Sequence, residues 1–201
     1  MDAEGLEIQS MPTIGKDITN QVFFDNVRVR NDYMVGEQGK GFQYISEALD
    51  LERFTMFTFS PIEERSKLLC DYVRTATRDG KPLSEDPVVR EKIAQVATET
   101  EVARALGIKY VAASLAGGKP PTTEASEYKL YATQLSQRVA NTALDIIGND
   151  AHVRVDTEDA PLGGRFEGTY RCTVVETIGG GASEIQKNII ARRKLGLPNN
   201  F

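Results

Sequence analysis

From residue 41 onward apolar side chains return every three or four positions, whereas the first 37 residues show no such period. A repeat of that length lines up apolar groups on one side of an α-helix, so the two parts predict different structures. Residues 42 to about 78 read as one long helical segment interrupted at Pro61. Proline has no amide hydrogen to give and clashes with the turn before it, so a kink or split is expected near Ser60. SEDPVVREKIAQVATETEVARALGIKYVAASL, 84–115, opens with a capping residue and Pro87 in the first turn, then sets Val89, Ile93, Val96, Ala103, Leu106 and Tyr110 along one stripe. GGKPP at 117–121 ends it. TTEASEYKLYATQLSQRVANTALDII repeats the arrangement with Tyr128, Tyr131, Leu135, Val139, Ala143 and Ile146, and stops at Gly148. After a polar stretch, 149–164, come a shorter helix ending near Thr177 and a last one from Ser183 to about Leu195. Ser183 with Gln186 three residues on has the spacing of a capping box, and Leu197 and Pro198 close the last helix.

Long helices separated by short breaks imply an antiparallel bundle with its stripes facing inward. Ahead of it, QVFFDNVRVR at 21–30 is rich in β-branched and aromatic residues and reads as a strand, with the glycines of GEQGKG, 36–41, closing the region. A strand pair alone is marginal in water, so this segment reads as the tail of a larger β domain. The expectation is a mainly α chain: a β remnant over 1–37 and a helical bundle over 38–201.

Composition narrows the function classes. A net charge of -5 argues against a nucleic-acid groove or an anionic membrane surface, both of which reward a basic stripe. The local basic cluster, Lys187, Arg192, Arg193 and Lys194, lies where a helix C-terminus favours cations and reads as a solvated helix end. Cys70 and Cys172 are too few for a disulfide framework, and the lone His152 reads as a loop residue, so no metal site is expected. A reduced, cytoplasmic compartment fits; no apolar run reaches membrane-spanning length, and MDAEGLEIQS lacks the shape of a signal peptide.

Candidate chemistry begins at TIGGGASEIQKNIIARR, 177–193, where three glycines precede a helix. Such a turn can cradle a phosphate, and it can equally be a plain loop. GGASEIQKNIIARRKLGLP at 180–198 resembles the closing signature of acyl-CoA dehydrogenases. VFFDNVRVRNDYMVGEQGKGF, 22–42, resembles the end of their middle β domain, and ALDLERF, 48–54, the start of the long helix that follows. The three segments stand in the family's order and cover nearly the whole chain, which matches the C-terminal half of a member.

What the resemblance implies is FAD-dependent α,β-dehydrogenation of an acyl-CoA thioester to the 2,3-enoyl-CoA. A carboxylate removes the proton beside the carbonyl, hydride leaves for the flavin, and an electron-transfer flavoprotein reoxidises it. In medium- and short-chain members the base stands where this chain has Gly180. In the isovaleryl and long-chain branches it is a glutamate on the long helix directly before an arginine, matched here by Glu52 and Arg53. Asp50 and Arg53 match positions that touch substrate or buttress the site. Gly180 and Gly181 match the run whose backbone amide donates to the thioester carbonyl. FAD contacts are implied at Arg78, Gly148, Ala182, Ser183 and Glu184, with Asp145 standing where the family has glutamine. An oligomer is implied too, homomeric or heteromeric. The alternative reading is a non-catalytic, structural subunit of a heteromeric acyl-CoA dehydrogenase.

Overall fold

In a computed structural model the described residues are 2–15, 17–55, 59–117 and 121–198, with the side chains at positions 50, 51, 54 and 55 outside that set. The chain forms two compact units, Met1–Leu49 and Asp50–Phe201.

The first unit is built on a hairpin. Strand β1, Leu6–Pro12, pairs antiparallel with β2, Ile18–Phe24, in the register Leu6↔Phe24 to Pro12↔Ile18. The expected strand at 21–30 thus starts earlier and stops at Phe24, because Asn26 takes a positive φ of 50° and turns the chain out of the ladder. Gly5 is fixed by close approach: a Cβ there would sit 1.9 Å from the Asp25 carbonyl oxygen. The apolar side chains Val22, Phe23 and Phe24 are exposed. Helix α1, Gly41–Thr55, begins in this unit, where the Tyr44 hydroxyl accepts the Glu37 amide at 3.2 Å.

The second unit is the helical bundle. The long segment does split where Pro61 predicts, and α2, Ser60–Thr75, takes that proline into its first turn, where no amide hydrogen is required. A small β3–β4 hairpin, Thr77–Arg78 with Lys81–Pro82, leads to α3, Pro87–Leu115. Asp86 caps α3 by accepting the amides of Val88 and Val89. Then follow α4, Thr122–Ile147, α5, Arg165–Glu176, and α6, Ser183–Ile189, which runs on as a π-helical turn over Ile190–Lys194.

Helix α4 is the axis of the unit and packs against α2, α3, α5 and α6. Its small residues Ala125, Ala132, Ala140 and Ala143 are all buried and let those helices approach. Two apolar clusters lie along it. Ile62, Val96, Ala103, Tyr128, Leu135 and Val139 make one; Leu69, Val73, Leu83, Val89, Ile146 and Phe166 make the other. Gly107 lets α3 close on α4: a Cβ there would stand 3.3 Å from both the Tyr128 and Phe59 rings. Across α2 and α3 the buried hydroxyls of Ser66 and Thr100 pair at 3.0 Å, so these two polar groups of the core satisfy one another.

Candidate functional site

The glycine turn joins α5 to α6. At the end of α5 the amides of Ile178 and Gly179 bond back to the Val175 carbonyl at 3.0 and 2.8 Å. Gly180 and Gly181 then take φ values of 63° and 92°, a left-handed path that favours glycine, and the Ser183 amide closes the turn on the Thr177 carbonyl at 3.0 Å.

Two fully buried side chains hold this turn from beneath. Gln186 Nε2 donates to the carbonyls of Gly180 at 3.2 Å and Gly181 at 2.9 Å. Lys129 Nζ, from α4, donates to the Gly181 carbonyl at 2.7 Å. Both residues are 0% exposed. Burial pushes the Lys129 ammonium below the ordinary lysine range and the Arg53 charge pushes the same way, while Glu176 and Glu184 oppose them. Glu176 is also 3.6 Å from Arg65, which donates to Ser136 at 2.7 Å.

The expected capping box is corrected here. The cap position is Ala182, Ser183 is the first residue of α6, and its hydroxyl turns back to the Thr177 carbonyl at 3.5 Å. Gln186 serves the two glycine carbonyls in place of the Ser183 amide, because a left-handed turn against the core leaves those carbonyls without backbone donors. The basic cluster also does more than face solvent: Lys194 bonds Glu127, and Arg193 donates to Thr122 at 2.9 Å.

Glu52 and Arg53 sit half-buried in the last turn of α1. Arg53 and the glycine turn thus share one neighbour, Lys129, which the turn touches and on which the Arg53 charge acts. The Asp50 side chain lies outside the described residues.

The residues expected at FAD fall into two groups. Arg78 is at the far end of α4, where its guanidinium bonds the Ile146 carbonyl close to Gly148, the C-cap of that helix. Beside it Asp145 is paired with Lys92 at 3.2 Å. Ala182, Ser183 and Glu184 follow the glycine turn: Ala182 brings no hydroxyl, Ser183 is spent on Thr177, and Glu184 is an exposed carboxylate. With Arg78 serving a helix end and carboxylates in both groups, these side chains do not fit a dianionic pyrophosphate.

Lys129 and Gln186 were not expected at the site. A signal for Lys129 exists in the sequence, since its helical neighbours Ala125, Ala132, Thr133 and Ser136 are all small, as on a buried face.

The sequence profile of the acyl-CoA dehydrogenase C-terminal domain matches residues 39–195. The chain belongs to the acyl-CoA dehydrogenase family. It is 28% identical to acyl-CoA dehydrogenase FadE26 of Mycobacterium tuberculosis over 200 residues, 98% of this chain and 50% of that protein. It is 33% identical to acryloyl-CoA reductase (NADH) of Anaerotignum propionicum over 188 residues, 92% of this chain and 45% of the relative. Among solved structures the ChsE4-ChsE5 complex of Mycobacterium tuberculosis superimposes with a TM-score of 0.88 at 27% identity, over 98% of this chain and 51% of the matched chain. The chain therefore spans about half the length of the acyl-CoA dehydrogenase relatives it matches. The mainly helical architecture is that of the family's C-terminal domain, and the family in general is FAD-dependent. Among the described residues no helix is long and apolar enough to cross a membrane, and no cluster of His, Cys, Asp and Glu could hold a metal ion.

Proposed function

We propose that this chain supplies the acid–base part of an acyl-CoA dehydrogenase site, with Glu52 as the base and the glycine turn as the donor to the thioester. The observation that carries this reading is the shared neighbour: Lys129 lies under the turn and within the field of Arg53, next to Glu52 on α1. Glu52 takes the proton from the carbon beside the thioester carbonyl. Main-chain amides of the turn receive the charge that builds on the carbonyl oxygen, so the carbanion need not form unsupported. Asp50 and Arg53 fix the substrate and the base. The same pair of functions serves dehydrogenation and the reverse reduction, which agrees with relatives named for each direction.

FAD supplies the hydride acceptor in the family and an electron-transfer flavoprotein its reoxidation. On the fit described above, the flavin pyrophosphate is held by residues other than Arg78, Ser183 and Glu184. An oligomer follows from the same reading. Tyr170, Val174 and Ile178 form an exposed apolar row at four-residue spacing on and just beyond α5, and the ChsE4-ChsE5 structure is itself a complex.

Glu52→Gln in the tagged, natural assembly tests the base. Acyl-CoA-dependent dye reduction should fall about 100-fold or more while acyl-CoA binding persists. Full turnover in that variant supports the second reading, a non-catalytic subunit of a heteromeric enzyme, which the poor pyrophosphate fit favours.

A further inference from the structure

Helix α1 carries Glu52 in its last turn, and among the described residues the first apolar one after it packed against the core is Phe59, at the start of α2. Phe59 is held by its main chain and by its ring. Its carbonyl accepts the Glu63 amide at 2.9 Å, which opens α2. Its amide donates to the hydroxyl of Tyr128, from α4. The ring lies against Gly107 of α3, and the Arg104 guanidinium stands 6.0 Å from its centre. Arg104 is fixed in turn by its bond to Glu63.

Two features of this seat cost stability. Tyr128 is 0% exposed and burial pushes its phenol up to about 12, so a hydroxyl has been taken from water where a phenylalanine would fill the same space. Gly107 stands inside a 29-residue helix, where glycine is a poor helix former. Alanine there would bring a Cβ to 3.3 Å from both the Phe59 and Tyr128 rings, so the Phe59 ring would have to give way. Both costs fall where Phe59 enters the bundle. Helix α2 does not need them to begin, because Pro61 already suits its first turn. A catalytic base does need such a seat, since its rate depends on being held within a fraction of an ångström of the proton it takes.

We propose that Tyr128 and Gly107 are positioning residues for Glu52, acting through Phe59: they fix where the chain leaving α1 joins the bundle, and so set the reach of the carboxylate. This rests on the acyl-CoA reading of the site, with Glu52 as the base.

The test uses the tagged assembly with wild-type chain, Tyr128→Phe, Gly107→Ala and Glu52→Gln. Tyr128→Phe keeps the ring and deletes the hydroxyl; Gly107→Ala keeps the hydroxyl and presses on the Phe59 ring. The probes are the acyl-CoA that the wild-type assembly turns over fastest in a straight-chain and branched series, the same compound with deuterium on the carbon beside the carbonyl, and its S-alkyl-CoA thioether, which binds without a proton acidic enough to remove. Turnover is expressed per folded chain, from circular dichroism at the assay temperature, so that a loss of stability alone does not register as a loss of rate. Per folded chain, kcat should fall about 10-fold in Tyr128→Phe and about threefold in Gly107→Ala, with thioether affinity unchanged within about twofold. Deuterium should slow both variants at least as much as it slows wild type, because a misplaced base delays the step that moves this proton. Unchanged kcat, thioether affinity falling in step with kcat, or a smaller isotope effect than in wild type overturns the proposal. If the wild type turns over no acyl-CoA, or Glu52→Gln keeps full turnover, the acyl-CoA reading itself fails and takes the inference with it. If Glu52→Gln is inactive and both other variants behave as wild type, the inference alone fails.

Discussion

Near its start α4 carries Lys129, 0% exposed and bonded to a main-chain carbonyl, whereas near its end it carries Asp145, 66% exposed and paired with Lys92 at 3.2 Å. The first charge has given up water and holds the shape of a turn. The second keeps its water and contributes little, as exposed pairs do. One helix thus separates a pre-organised polar site from a solvated surface, and the separation runs between the two places where family chemistry was expected. The difference teaches that charge is informative where it is buried: Lys129 holds the glycine turn at one end, and Arg78 is occupied with the Ile146 carbonyl at the other.

The comparison would break most visibly at Glu52. Its replacement by glutamine should cost about 100- to 10,000-fold in turnover, measured by dye reduction, with little change in melting temperature. Gly181→Ala comes next. It sets a Cβ at 2.6 Å from Gln186 Nε2 at a φ of 92°, and denaturant titration should show a loss of about 1–3 kcal/mol. A third prediction concerns acid. Glu167 is bonded twice by Arg171, at 2.7 and 2.8 Å, and those bonds hold its carboxyl below the ordinary glutamate range against the opposing pull of burial. The folded state therefore binds that proton less tightly than the unfolded state. Its stabilisation is complete above the ordinary glutamate range and is lost as pH falls through the lowered folded value. Glu167→Gln should flatten this acid limb, worth about 1 kcal/mol, in melting curves taken from neutral to acid pH.

The remaining predictions lie at the far end of α4 and are smaller. Arg78→Ala removes the donor to the Ile146 carbonyl and should lower stability by about 1 kcal/mol or less. It should leave the flavin content of the purified assembly unchanged; a colourless assembly would reverse the contrast between the two ends. Asp145→Asn should change stability by less than about 0.5 kcal/mol.

The helices were legible because each obeys a local rule. Pro61 marks the α1–α2 break, Asp86 and Pro87 the start of α3, and Gly148 the end of α4. Of the hairpin, one strand was legible, though not its bounds. The β-rich run continues past Phe24 to Val29, and only the positive φ at Asn26 stops the strand, while its partner β1 carried no pattern strong enough to announce it. At the candidate site, sequence similarity pointed to Glu52 and Gly180. The hold of Lys129 and Gln186 on the glycine turn escaped notice for two physical reasons. A lysine on a helix is ordinarily a surface residue, and the spacing of Ser183 and Gln186 suggested a capping box where tertiary contact with the glycine carbonyls prevailed.

The bond from Lys129 to Gly181 joins residues 52 positions apart, and Gln186 reaches the same carbonyl from α6. Helices α3 and α4 can pair as neighbours early in folding, but the turn acquires its shape only when α6 has docked onto α4. A partly folded chain can therefore be rich in helix and still lack the site. Circular dichroism would register such a species as nearly native although the glycine turn had yet to form.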